Sequence, residues 1–346
     1  VLIPFLLNRI IISVTNDLTT DQRVLRTCDC LNEMGFDILL IGRKLKNSLD
    51  IYPSLKTVRF RLIFNKGFLF FAEFNLRLFF KLLFAKKTLL YANDLDTLLP
   101  NFLVSKLSRC KLIYDSHEYF TEVPELLSKP RIKSFWTGLE SFIFPKLKNV
   151  ITVNQKLAEI YSTLYGVPVT VIQNVPKTIT KTQTIPLEFL RNKQNIILYQ
   201  GALNMGRGLE LIIDAMEYLK NYVLVVAGDG DISDQLKSRV AQKFLNPQVI
   251  FLGKLLPEKL RNVTQQSDIG LSLEEDLGLS YRYCLPNKVF DYIHAGIPFL
   301  VSKLPLLEQL ITKYNVGELL TNRNTASLAA AIEKIIINKS EYNKAL

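Results

Sequence analysis

Short apolar runs of strand length alternate with longer helical patterns twice over in this chain, and that repeated alternation restricts the fold more than any other feature. In the first half the runs are Ile10–Val14, Ile38–Ile41, Val58–Ile63, Leu89–Ala92, Lys111–Tyr114 and Val150–Val153, separated by helical stretches such as Asp21–Met34, which Gly35 ends, and Arg131–Leu147. In the second half Ile196–Tyr199, Tyr222–Ala227, Val249–Leu252, Ile269–Leu273 and Ile297–Val301 alternate with helices over Leu209–Leu219, Asp231–Phe244, Pro257–Gln266 and 286–295. Parallel strands need crossover connections, which helices supply, so the pattern predicts an α/β chain of two doubly wound parallel sheets with helices on both faces. At 346 residues the chain is too long for one ordinary core. The polar, Thr-rich, proline-bounded stretch Gln173–Pro186 is the expected boundary. It gives a first domain over 1–180, a second over 181–330, and a C-terminal helix over 331–346 expected to pack back toward the first domain.

In open parallel sheets, ligands sit at the carboxyl ends of the strands, so the polar residues after each run are the ones to read for chemistry. After the first strand stands Thr15-Asn16-Asp17-Leu18, with Arg23 just beyond; no Gly-x-Gly-x-x-Gly follows, which argues against a dinucleotide-binding domain and a dehydrogenase. Asn93-Asp94-Leu95-Asp96 and Asp115-Ser116-His117-Glu118 follow the fourth and fifth runs. His117 on such a loop serves as a base, as a donor to a substrate hydroxyl or phosphate, or merely as a cap on Asp115 or the next helix. Residues 118–130 carry prolines and acids and read as a loop with short helical turns, a candidate lid.

The second half opens with Gln200-Gly201-Ala202-Leu203-Asn204-Met205-Gly206-Arg207-Gly208, and Ala227-Gly228-Asp229-Gly230 follows its second strand. Such glycines let backbone approach a ligand, and the fork of Arg207 grips a phosphate. The stretch Pro286-Asn287-Lys288 opens a helix that Gly296 stops. Its first turn offers free backbone N–H groups, a positive dipole end and a cation, with Asp291 one turn on to accept from sugar hydroxyls. The succession points to a nucleotide diphosphate.

Charge is uneven: residues 1–180 hold 24 Lys/Arg against 15 Asp/Glu, the remainder 19 against 17. A basic first half implies an anionic partner, and without an accompanying recognition motif nucleic acid ranks last. Residues 64–87 are almost all Phe and Leu apart from basic residues and the stripe Glu73, Arg77, Lys81. That composition fits either a helix buried on most sides or an amphipathic helix lying on an anionic membrane surface. Charges exclude a spanning helix there, and Val1–Leu7 is too short to cross a bilayer, so neither a leader nor a spanning segment is expected. Four scattered cysteines and two histidines form no metal-ligand spacing, which fits a reducing cytoplasm and predicts no metal or cofactor.

Taken together, Asn16-Asp17-Leu18 with Asp21-Gln22-Arg23-Val24, Asn93-Asp94-Leu95-Asp96, Asp115-Ser116-His117-Glu118, Gly201 with Arg207-Gly208, Ala227-Gly228-Asp229-Gly230 and the 284–301 stretch resemble the retaining glycosyltransferases of family 4, which have the two-domain GT-B fold. The Pro-Asn-Lys opening is similar to that of bacterial members that build polysaccharides. The resemblance implies two Rossmann-like domains facing a cleft and metal-free transfer of a hexosyl unit from a nucleotide diphosphate sugar to a glycan or glycolipid with retention; the cysteine usage and residues 64–87 are what predict a location in the cytoplasm or on the inner face of the plasma membrane. The resemblance also implies an acceptor side with Asn16, Asp17, Arg23, Asp94 and Glu118, a donor side with Gly201, Asn204, Arg207, Gly208, Gly228, Asp229, Arg282, Asn287, Lys288 and Asp291, and catalytic roles for His117, Arg207, Lys288 and Glu275.

The departures are specific. Ala202 stands where the family has an Arg, so Lys288 or Arg282 is expected to replace its charge. Asp291, five residues before Gly296, matches the family's second acid, but Tyr283 stands where the first is expected. An insertion with Glu275 (or Glu274) reaching back to the donor sugar is inferred. A non-hydrolysing nucleotide-sugar epimerase and a catalytically idle nucleotide-sugar-binding homologue remain as alternatives.

Overall fold

A computed structural model describes residues 9–19, 21–46, 48, 55–176 and 195–346. Val1–Leu7 and positions 177–186 of the expected boundary lie outside the described residues. Packing divides the chain into two compact units, one of residues 1–122 and 126–174, the other of 123–125 and 175–346.

The first unit runs β1 (Arg9–Asp17), α1 (Gln22–Glu33), β2 (Asp37–Arg43), β3 (Lys56–Phe60), α2 (Gly67–Phe84), β4 (Leu89–Asn93), α3 (Leu95–Leu107) and β5 (Lys111–Ser116). After the short α4 (Pro124–Leu127) it continues with α5 (Pro130–Ile143), β6 (Val150–Thr152), α6 (Gln155–Tyr165) and β7 (Val169–Val171). Its strands form one parallel sheet in the order β3-β2-β1-β4-β5-β6-β7. Alternate residues of β1 feed opposite faces, with Ile10, Ile12 and Val14 in one core and Ile11 in the other. A strand covered on both sides is apolar at most positions, which is why the run is nearly continuous; the buried Ser13 accepts from Asn101 at 2.7 Å. Asp21 caps α1 by accepting from the Val24 N–H at 3.1 Å, and Gly35 follows that helix at φ +86°.

The second unit runs β8 (Asn195–Gln200), α7 (Leu209–Ala215), β9 (Tyr222–Ala227), α8 (Ser233–Gln242), β10 (Val249–Gly253), α9 (Pro257–Gln265) and β11 (Ile269–Ser272). It continues with α10 (Gly278–Arg282), α11 (Asn287–Ala295), β12 (Phe299–Ser302), α12 (Pro305–Tyr314), β13 (Gly317–Leu320), α13 (Thr325–Ile337) and α14 (Lys339–Tyr342). The parallel sheet has the order β10-β9-β8-β11-β12-β13. Ile197 and Tyr199 enter one core, Ile196 and Leu198 the other. In both sheets the winding direction reverses, between β1 and β4 and between β8 and β11, and such switch points open a crevice at the strand ends.

Several expectations shift. Residues 331–346 pack inside the second unit: Ile332, Ile335 and Tyr342 belong to its core, and the Lys339 ammonium lies 2.5 Å from Asp268. The third strand ends at Phe60 rather than Ile63, because the Glu73 carboxylate takes the N–H groups of Ile63 (2.9 Å) and Phe64 (3.0 Å) away from any ladder. The stretch between Glu275 and Pro286 holds the short helix α10. Helix α11 keeps the expected ends, Pro286 at its N-cap and Gly296 left-handed at φ +68°.

Candidate functional site

Polar side chains collect at the switch point of each sheet. In the first unit, Asp94 follows β4 with φ +59°, a left-handed conformation that costs a non-glycine residue about 1–3 kcal/mol. Hydrogen bonds over-determine it: its N–H donates to the Asp115 carbonyl at 2.9 Å, and its carboxylate accepts the His117 N–H at 2.9 Å. The His117 ring lies between two acids, Nδ1 3.3 Å from Asp94 and Nε2 3.4 Å from Asp115. Burial alone would lower its pKa, yet the charges of Asp94 and Asp115 raise it to about 9. His117 is therefore an imidazolium at neutral pH, a donor rather than a base.

Asp115 is fully buried and accepts from Arg23 Nη2 at 2.6 Å and from the Tyr91 hydroxyl at 2.8 Å. Against the penalty of burial, the charges of His117 and Arg23 hold it at about 2. Asp96 is pushed up to about 8 by burial and by the neighbouring Asp94, and accepts from the Thr15 hydroxyl. Of the residues assigned to the acceptor side, Asp17 is engaged by Arg59 at 2.8 Å and by Ser48 at 2.6 Å, and Arg23 by Asp115. Asn16 is exposed and donates to Asp21 at 3.0 Å. The Glu118 carbonyl accepts from the Ser116 hydroxyl at 2.8 Å.

In the second unit, Gly201 and Gly228 leave β8 and β9 at φ +128° and +154°, and their backbones touch. A Cβ built on Gly228 would stand 1.8 Å from the Gly201 carbonyl oxygen, so no other residue fits that close approach. Gly201 lies under Lys288 of α11, whose Cε would be 3.6 Å from a Cβ there. The Lys288 ammonium donates to Glu274 at 2.9 Å and sits 4.2 Å above the Tyr199 ring. Arg207 approaches the same carboxylate at 3.4 Å and stacks 4.6 Å from the ring of Tyr281, a residue of α10. Glu274 has no exposed surface; the Ser272 hydroxyl completes its shell at 2.7 Å. Burial would raise its pKa, but the charges of Lys288 and Arg207 hold it at about 2.

Arg207, Lys288, Gly201 and Gly228 thus come together around Glu274, which sits beside the switch between β8 and β11. Glu275, its neighbour, faces the other way and lies 3.6 Å from Arg323. Arg282 is half exposed and pairs with Asp276 at 3.4 Å, so the second cation at Glu274 is Lys288. Asp291 accepts from Gln200 Nε2 at 2.7 Å. Asp229 closes its own turn, accepting from the Gly230 N–H and the Ser233 hydroxyl. Asn204 accepts from the Asp231 N–H at 3.4 Å, Gly208 is the left-handed N-cap of α7, and Asn287 opens α11, exposed.

The sequence reading missed Arg323. Its guanidinium donates to the Ser302 hydroxyl at 2.7 Å and to the Leu273 carbonyl at 3.1 Å, pinning the chain where it leaves β11. The signal was a cation just after β13, a strand absent from the apolar-run reading. Among the described residues, no group of three or more His, Cys, Asp and Glu is placed to hold a metal ion.

Comparison with known proteins fits this geometry. Residues 181–346 match the family model of glycosyl transferases group 1. An uncharacterised glycosyltransferase of Methanocaldococcus jannaschii is 26% identical over 152 residues, 42% of this chain and 37% of that protein, so the match spans well under half of that relative. Sucrose-phosphate synthase from Thermosynechococcus elongatus superimposes with a TM-score of 0.76 at 16% identity, covering 98% of this chain and 92% of that one. Anabaena HepE, solved in complex with UDP-glucose, gives 0.71 at 15% identity over 97% and 92%. Both likenesses are of fold. The chain therefore has the GT-B fold, and its residues 181–346 match the group 1 glycosyltransferase model.

Proposed function

We propose that this protein transfers a hexosyl unit from a nucleotide diphosphate sugar to a hydroxyl of a glycan or lipid-linked acceptor, with retention at the anomeric carbon and without a metal. One observation carries the reading: Arg207 and Lys288 converge on one buried carboxylate beside the glycine-lined strand ends of the group 1 domain. Two cations held against one anion leave one positive charge at that place. Breaking the bond between the sugar and the diphosphate puts negative charge on the departing phosphate, and preorganised cations stabilise that charge more than the ground state. Glu274 keeps both side chains in place before the donor arrives, so little reorganisation accompanies reaction.

The other donor residues take supporting roles. Gly201 and Gly228 admit the diphosphate to the backbone, and Asp291, steadied by Gln200, accepts from the ribose hydroxyls. The cationic His117 donates to a sugar hydroxyl or to a phosphate on the acceptor side, with Asp94 and Asp115 fixing its ring. Retention rests on the family resemblance, and the donor class is supported by the UDP-glucose complex of HepE.

The test is thermal stabilisation by a panel of nucleotide diphosphates, followed by transfer assays in EDTA with the stabilising sugar donor. Arg207→Ala is expected to remove a charge-assisted contact and lower kcat/KM by about 2–3 kcal/mol, roughly 50-fold. Unchanged turnover in that variant would sink the role of Arg207. Donor conversion without any acceptor would assign the site to an epimerase instead.

A further inference from the structure

Helix α2 turns an apolar arc outward. At about 100° per residue, Phe70, Phe74, Leu78 and Leu82 form the stripe buried against the sheet. Phe68, Leu69, Leu76, Phe80 and Phe84 lie on the opposite side, each at least half exposed and Phe84 81% exposed. A helix on a water-facing surface normally shows the reverse, with polar residues outward. The polar stripe is occupied elsewhere: Glu73 pairs with Arg77 at 2.7 Å and holds the N–H groups of Ile63 and Phe64. That staple also turns Ile63, 75% exposed, to the outside. Phe135 of α5, half exposed, meets Phe68 edge-on at 6.2 Å and extends the patch. Contiguous exposed apolar surface of this kind marks an interaction site.

Charge selects the partner. Residues 61–87 hold six Lys/Arg against one Glu, and Arg61, Lys66, Lys81 and Lys86 are exposed among the apolar side chains. A groove of about 500 Å³, lined by Phe60, Arg77, Phe80, Lys81, Phe84 and Ala85, opens on this face. Aromatic walls with two cations suit an amphiphile that has an anionic head and an apolar body. No helix among the described residues is long and apolar enough to cross a membrane. Two copies of this patch meeting face to face would also bring two sets of six cations together, which disfavours self-association.

We propose that α2 docks the protein onto an anionic lipid bilayer: the helix lies in the interfacial plane with Phe68, Leu76, Phe80 and Phe84 among the acyl chains. The groove beside Arg77 and Lys81 seats one anionic lipid headgroup. Vesicle flotation with the full chain tests this, using phosphatidylcholine alone or mixed with phosphatidylglycerol. The protein is expected to float with the mixed vesicles, to stay behind with phosphatidylcholine, and to be released at about 0.5 M salt, where surface charges are screened. Phe80→Ser combined with Phe84→Ser alters exposed side chains, so melting temperature and donor binding should hold while partitioning falls about tenfold or more. Lys81→Glu should weaken binding to the mixed vesicles about fivefold or more. Wild-type protein that stays in solution with the mixed vesicles, or a double serine variant that floats equally well, would overturn the proposal. A concentration-dependent dimer lost in the serine variant, with no vesicle binding, would assign the face to a second copy.

Discussion

The two sheets wind alike and end in opposite electrical arrangements. At the first switch point three aspartates, Asp94, Asp96 and Asp115, surround Arg23 and His117, and the burial of Asp96 keeps it protonated up to a pH of about 8. At the second, two cations close on one glutamate. The backbones differ in parallel. The first unit reaches its geometry through a strained Asp94 held by hydrogen bonds, the second through glycines that remove side chains altogether. Sheet topology thus offers two equivalent crevices, and the residues at the strand ends decide that one gathers three aspartates around two cations and the other two cations around one glutamate.

The sharpest break of this comparison is Glu274→Ala. Removing the shared anion leaves the buried Lys288 and the partly buried Arg207 without a counter-charge, and losing one partner of a buried pair costs about 3–5 kcal/mol. Urea unfolding should show that loss, with nucleotide diphosphate restoring part of it by occupying the vacated charge. A loss below about 1 kcal/mol would mean that the cations do not depend on Glu274.

Next comes pH, where His117 of the first site and Glu274 of the second should respond in opposite directions. The folded chain holds the His117 proton up to about pH 9, whereas an unfolded histidine releases it near 6.5. Between those values the folded state binds more protons, so this stabilisation is complete below about 6.5 and is lost as pH rises toward 9, about 3–4 kcal/mol in all. Glu274, held at about 2, stabilises the fold above about 4.5, and that contribution is lost as pH falls toward 2. His117→Gln should flatten the alkaline loss and, because the imidazolium helps hold Asp115 at about 2, move the acid loss of the first site to higher pH. An unchanged alkaline limb in that variant would remove the imidazolium from the first site.

The smallest effect is expected at Arg282. Half exposed and paired with a half-exposed Asp276, it should cost about 0–0.5 kcal/mol of stability on replacement by alanine. Donor affinity should not move, and a tenfold fall in Arg282→Ala would return that side chain to the phosphate site.

Much of this was legible in the residues. The alternation of runs predicted both parallel sheets because strands covered on both faces read as near-continuous apolar runs, and parallel pairing needs the helical crossovers between them. Pro286 and Gly296 marked the ends of α11 because each suits its backbone position on its own. Arg207, Lys288 and the glycines at 201 and 228 were named from local chemistry. What spacing left open was which acid turns inward. Glu274 and Glu275 are adjacent and chemically alike, and along a chain leaving a strand successive side chains point to opposite sides. Only the packing of β11 between β8 and β12, with Arg323 pinning the Leu273 carbonyl, places Glu274 under Lys288 and sends Glu275 outward. Arg282 went unsorted for the same reason, since nothing nearby in sequence says that α10 offers Tyr281 to Arg207 and turns Arg282 to water.

The outward arc of α2 shows the same division. Its composition alone announced a helix too apolar for water and too charged to span a bilayer. Whether Phe70 or Phe80 faced the core was a matter of rotation about the helix axis, which nearly uniform Phe and Leu cannot specify. The sheet beneath and the Glu73 staple set that rotation. For this protein the sequence by itself determined the elements, the two-sheet architecture and the chemical inventory at the strand ends, because those follow from local periodicity and backbone preference. The tertiary structure alone decided which charges meet, which acid is buried and which face of α2 is left uncovered, because burial and pairing depend on neighbours distant in the chain.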